Sequence, residues 1–169
     1  LKLYPKQYGP MYETYFAGLE EGKVHPLVNE SVMMPEYNIC VCGSEITRCY
    51  YKRFKKHPMD EAYLEELLGK ASDNAFQILI AHNPDYFEEY AAWGADLVVA
   101  GHVHGGIMRL PLLGGVLSPS MTLFPKYDGG LFRLGKAAMV LSRGLGTHTL
   151  PLRIFNPGEL VVISLTPDK

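Results

Sequence analysis

Two apolar runs of strand length stop abruptly at histidine. Residues 78–81 and 97–100 are aliphatic throughout, and they lead into His82 in ILIAHNPD and into His102 and His104 in LVVAGHVHGG. Short continuous runs of this kind, bounded by Gly and Pro, predict strands. Between them, PDYFEEYAAWG predicts a short helix with Pro84 in its first turn, Asp85 at its positive end and Gly94 as its stop. That order is a βαβ unit. Its right-handed crossover leaves two parallel strands ending on one edge of a sheet, the edge where open α/β sheets bind ligands. His82, His102 and His104 are therefore predicted to converge there.

Elsewhere the periodicity is more uneven. Residues 1–10 predict a loop or arm, and residues 11–23 a helix stopped by Gly22, with Tyr12, Tyr15, Phe16 and Leu19 on one face. Residues 24–28 and 37–42 predict strands, with Asn29 and Pro35 marking the turn between them. A basic loop over 48–56 precedes a helix over 59–69, whose stripe is Met59, Ala62, Tyr63 and Leu67. From Gly105 to Tyr127 glycine and proline leave no regular prediction. Residues 131–134 and 138–141 predict a hairpin around Gly135 and Lys136, and residues 160–165 a terminal strand. With no repeat and no low-complexity linker, residues 1–169 read as a single, partial domain.

A chain of 169 residues is long enough to bury roughly 70% of its unfolded surface. Its net charge of −2 excludes bulk electrostatic attraction to nucleic acid. No apolar stretch is long enough to span a membrane. The chain starts at Leu1, so any export or anchoring signal is expected upstream, and the cellular address would follow from it. Cys40 and Cys42 alternate on one predicted strand, a spacing that favours buried free thiols over a disulfide or a zinc pair.

Imidazole nitrogen is a neutral-pH ligand for zinc, manganese, iron or nickel, and a strand end holds it rigidly. His102 and His104, one residue apart, can serve one ion or two, depending on how sharply the backbone turns after Gly101. Two-metal phosphoester hydrolysis needs ions about 3.5–4 Å apart and bridging oxygen ligands. No bridging carboxylate is evident, and Asp85 reads more readily as a helix cap. Arg143 and Arg153 flank the RGLGTH turn and could present a guanidinium fork to phosphate. His148 lies in that turn, while His25 and His57 precede prolines and receive no function. Two other readings stand beside this one. Arg48, Lys52, Arg53, Lys55 and Lys56, interleaved with Tyr50, Tyr51 and Phe54, could make a noncatalytic module for single-stranded nucleic acid or a membrane surface. Alternatively, the histidines could hold a single zinc in a mononuclear hydrolase.

ILIAHNPD, GHVHGGIMRLP and the tail VLSRGLGTHTLPLRIFNPGELVVISL together resemble the C-terminal half of calcineurin-like metallophosphoesterases. They are similar to bacterial phosphohydrolases whose ending reads GHTHGGQ, then RGLG and PLR. The resemblance covers residues 77–165, and residues 1–76 match only loosely. It implies an α/β fold, the C-terminal half of a metallophosphoesterase-type β-sandwich flanked by helices. His82 and His102 would bind one metal and His104 the other. It also implies two divalent ions (Mn, Fe, Zn or Ni), a phosphomonoester or phosphodiester substrate, and attack on phosphorus by a metal-bound hydroxide. The family's Asp-x-His, Gly-Asp-x-x-Asp and Gly-Asn-His segments do not occur in the chain. No catalytic residue is therefore assigned within it, and the chain is expected to be a truncated piece, inert and able to exist metal-free by itself. Its expected partners are the absent N-terminal half or, through uncovered sheet edges, further copies in a homo-oligomer or swapped dimer. Ile107 stands where these relatives usually have Gln.

Overall fold

The computed structural model describes residues 5–52, 56–60, 62–118, 122–147 and 152–167. Among these the chain runs α1 (Pro5–Glu21), β1 (Glu30–Met34), β2 (Ile39–Ser44), α2 (Tyr63–Leu68), β3 (Phe76–Ala81), α3 (Phe87–Trp93), β4 (Leu97–Ala100), β5 (Met108–Leu110), β6 (Gly114–Leu117), β7 (Gly130–Leu134) and β8 (Ala137–Leu141). The expected α/β class is borne out. Six strands form one mixed sheet in the order β1-β2-β3-β4-β8-β7, and β5 and β6 form a separate two-stranded ribbon. The inner strands β2, β3, β4 and β8 run parallel, and the edges β1 and β7 are antiparallel to their neighbours.

The predicted βαβ unit is present as β3–α3–β4. Gly94 ends α3 in the left-handed region at φ 119°, its N–H closing on the Ala91 and Tyr90 carbonyls. At the other end a 3-10 turn, Pro84–Tyr86, leads into the helix. Asn83 caps that turn, its side-chain oxygen accepting from the Asp85 N–H at 3.1 Å. This corrects the expectation that Asp85 is the cap: Asp85 contributes the N–H, and Asn83 the acceptor.

Pairing register decides which side chains share a face. Ile78 pairs Leu97, Leu79 pairs Val98, and Val98 pairs Met139. Leu79, Val98, Met139 and Leu141 thus project to one side, where Leu64 of α2 and Phe87 and Tyr90 of α3 cover them completely or nearly so. Cys42 lies on this buried face with its thiol pushed up to about 12, chiefly by burial, and all three cysteines are free. The opposite face is also apolar but far more open: Phe76, Ile80 and Leu131 are 40%, 48% and 57% exposed.

Several elements differ from the sequence expectation. The segment expected as an arm is helical from Pro5, and α1 extends through Pro10. Residues 24–28 are not a strand. The Gly22, Lys23 and Val24 N–H groups turn back onto the carbonyls of Gly18, Glu20 and Leu19, and Pro26 has no donor to give a neighbour. The strand lies further on, at β1. α2 is also shorter than the stripe implied, although Met59 is buried in the same core. Residues 160–165 keep the period-2 alternation, with Leu160 and Val162 80% and 82% exposed against 37% and 39% for Val161 and Ile163, yet form no strand. They cross the open face of the sheet instead, leaving a cleft of about 550 Å³ beneath them. The hairpin around Gly135 and Lys136 is present as β7–β8.

Candidate metal centre

His82 follows the last residue of β3, and His102 and His104 lie just past β4, so parallel pairing carries the loops to one edge. The Gly101 N–H donates to the His82 carbonyl at 3.3 Å and joins the loops. His102 Nδ1 and His82 Nε2 are 3.2 Å apart, with ring centroids at 4.9 Å. Two nitrogens held by one tetrahedral ion at its usual bond length lie roughly 3.3 Å apart. The pair has a comparable separation, and at that distance the two rings share a hydrogen bond. His82 keeps one side open to solvent, but protein packed around its ring, and then the nearby His104, hold its pKa below the ordinary imidazole value. Both causes favour the neutral form, which is the form that ligates a metal. Among the described residues no group of three or more His, Cys, Asp or Glu side chains is arranged to hold an ion.

Backbone conformation in the second loop is unusual. His102 and His104 have φ of 72° and 50°, followed by Gly105 at 73° and Gly106 at 84°. A left-handed non-glycine residue costs on the order of 1 kcal/mol, and such conformations persist where surrounding contacts over-determine them. The contacts here fall on the carbonyls. Val103 and Gly106 N–H groups close two tight turns onto the Gly101 and Val103 carbonyls. Arg109 Nη1 donates to the Gly105 carbonyl at 3.2 Å while paired with Asp128 at 3.1 Å. Asn156 Nδ2 donates to the carbonyls of both His104 and Gly106 at 2.7 Å. A Cβ on Gly105 would lie 2.7 Å from Asn156 Oδ1 and 2.8 Å from Arg143 Cδ, so this position requires glycine for space as well as for φ.

Tyr51 closes the site from the other side, its ring 5.3 Å from His102 and 6.1 Å from His82. Asn83 holds that segment in place, donating from Nδ2 to the Tyr50 carbonyl at 2.9 Å. Neither residue stands out in the sequence. Tyr51 lies in the basic stretch, of which residues 53–55 are outside the described residues. Lys56 pairs with Glu89 at 3.0 Å and lies over the Tyr86 ring. With Lys52, Asp85 and Lys126 these residues line a cleft of about 600 Å³ that reaches Val103, between the two loop histidines. Burial raises the Asp85 carboxyl above its ordinary range against the opposing pull of Lys56.

The two arginines of the RGLG region are committed to the chain itself. Arg143 forms a two-pronged pair with Glu159, through Nε at 3.1 Å and Nη2 at 2.9 Å. Arg153 Nη2 donates to the Arg143 carbonyl at 2.8 Å and to Gly144 at 3.1 Å, and its Nε to Gly146 at 3.0 Å. His148 lies outside the described residues.

A mixed α/β sheet with helices over one face, and histidines where its parallel strands end, has the character of a metallophosphoesterase-like α/β fold. Sequence relatives point the same way. The chain is 34% identical over 101 residues to Bacillus subtilis YkuE, named an uncharacterized metallophosphoesterase, a match covering 60% of this chain and 35% of that protein. A Helicobacter pylori protein with the name uncharacterized metallophosphoesterase is 29% identical over 165 residues, covering 95% of this chain and 42% of the relative. Escherichia coli YaeI, named a phosphodiesterase, is 35% identical over 74 residues, covering 44% of this chain and 27% of its own length. Several relatives named metallophosphoesterases thus align over about half or more of the chain and support its place in the calcineurin-like superfamily. The chain spans about a quarter to two fifths of the length of these relatives. No family model matches it, and no solved structure does.

Proposed function

We propose that this chain is the C-terminal part of a metal-dependent phosphohydrolase acting on a phosphomonoester or phosphodiester. His82 and His102 would hold one divalent ion and His104 a second. The observation that carries this reading is the 3.2 Å approach of His82 Nε2 to His102 Nδ1 at the shared end of two parallel strands. When bound, a pair of such ions supplies a nucleophilic hydroxide at neutral pH and neutralises charge on the phosphoryl oxygens. The chain's own residues orient and shield. Tyr51 fixes the outer side of the imidazole pair, and depressed basicity keeps His82 neutral and ready to ligate. Arg109 and Asn156 set the path of the second loop. Arg143 and Arg153 take a scaffolding part in this reading, tying the RGLG turn to the tail. Acidic donors would come from the remainder of the complete protein, so the chain alone is expected to be inactive.

Manganese-stimulated hydrolysis of bis(p-nitrophenyl) phosphate by the complete gene product tests the assignment. His102→Ala is expected to lower kcat/KM by about 100-fold or more, since a ligand loss exceeds the usual effect of losing a supporting contact. Unchanged activity would reject it. One tightly bound zinc per protein, in place of two ions, would redirect the reading to a mononuclear hydrolase.

A further inference from the structure

Asn156 joins the C-terminal tail to the metal loop across 52 residues of sequence. Its placement begins at Ile154, whose N–H donates to the Ile107 carbonyl and whose carbonyl accepts from Arg109, forming a parallel bridge beside β5. Phe155 then turns through φ 51° with its ring exposed, and the Asn156 side chain is delivered inward, only 2% exposed. Its amide nitrogen is divided between the His104 and Gly106 carbonyls, both at 2.7 Å. One amide thus spans the residues on both sides of Gly105. Its oxygen is buried without a hydrogen-bond partner among the described residues, facing the space that a Cβ on Gly105 would fill.

A residue serving only to join tail and ribbon would not need this geometry, because the Ile154 bridge already joins them. One bond falls on the peptide unit that follows His104 and the other on the unit that follows Gly106, so together they bracket the left-handed turn that carries the His104 ring. We infer that Asn156 is a positioning residue, which holds the left-handed turn at His104 and so aims its imidazole at the second metal position. The inference rests on the proposed function.

Cobalt(II) titration of the complete protein, followed by visible absorption and by bound-metal stoichiometry, tests it alongside thermal melting. Asn156→Ala is expected to weaken one of two ions by about 10–100-fold, the usual effect of losing an outer-shell contact, and to leave the other ion unchanged. The cobalt absorption of the weakened site should shift, and added metal should recover part of the lost kcat. Asn156→Ser, which can bond one carbonyl, should fall between Asn156→Ala and wild type, and it decides by the same criterion if the alanine variant is insoluble. Glu159→Gln, which loosens the tail through Arg143 and leaves the two Asn156 bonds in place, should keep both affinities. Wild-type affinities in the Asn156 variants, with only the melting temperature lowered, would reduce Asn156 to a structural tie and overturn the inference. His104→Ala separates the two levels. If it leaves two bound cobalt ions, the metal reading itself fails; if it removes one while Asn156→Ala changes neither affinity, only the role of Asn156 is lost.

Discussion

The Glu159 carboxylate accepts two bonds from the Arg143 guanidinium and a third from the Arg143 backbone N–H at 3.1 Å. These bonds, led by the side-chain pair, hold the carboxyl below its ordinary range of about 4.5. A group depressed in the folded state adds stability above its unfolded pKa and loses it as pH falls through the folded value. Urea melts of the wild type should therefore weaken below about pH 4.5, with a shallower acid dependence in Glu159→Gln. Equal slopes for the two proteins would show that the pair is not coupled to folding. Single residues were unequally legible in the sequence. His82, His102 and His104 stand out because histidine at the end of an aliphatic run is chemically conspicuous. Asn156 does not, since asparagine before proline in a tail has the local signature of an ordinary turn. Tyr51 is likewise hidden among basic residues, where its ring could as well have faced solvent.

At the scale of elements, the turn from β3 into α3 concentrates several roles in one residue. Asn83 is 2% exposed, its side chain accepts the Asp85 N–H and donates to the Tyr50 carbonyl, and its backbone carbonyl receives the Tyr90 hydroxyl at 3.0 Å. Asn83→Ala removes the cap and leaves the Tyr50 carbonyl unpaired, and is expected to destabilise the protein by about 2–3 kcal/mol. Denaturant midpoints of the two proteins measure this; a shift worth less than about 0.5 kcal/mol would mean that water replaces the amide fully. The βαβ unit was readable because its three signals, aliphatic run, helix punctuation and Gly stop, are all local. Residues 160–165 carry as clear a strand pattern and form none. Alternation specifies which side faces in, while a strand also needs a neighbour's free edge, and that depends on the rest of the sheet.

For the whole molecule, the decisive feature is a mixed sheet, parallel at its centre, covered on one side. Parallel sheets are ordinarily buried on both faces. Here Phe76, Ile80 and Leu131 remain substantially exposed on the second, where residues 161–165 line a cleft with Phe76 and Leu131 without forming a strand. In isolation the chain is expected to cover this face with a second copy, as a dimer or larger assembly, and light scattering at micromolar concentration reads the outcome. Ile80→Lys and Leu131→Lys should disperse the assembly by placing charge on the shared face. A monodisperse monomer of the unaltered chain would end this expectation.

By itself the sequence determined the α/β class, the βαβ unit, the β7–β8 hairpin and the three histidines at strand ends, because each is written within a few residues by chain period, turn chemistry and side-chain type. Tertiary structure alone decided that Asn83 caps in place of Asp85, that Arg143 and Arg153 bind the chain itself, that Tyr51 packs on the imidazole pair, and that Asn156 reaches back 52 residues to the carbonyl of His104. Those outcomes depend on register between distant segments. A hydrogen bond across such a separation is set by how strands and ribbon align, which no local pattern encodes.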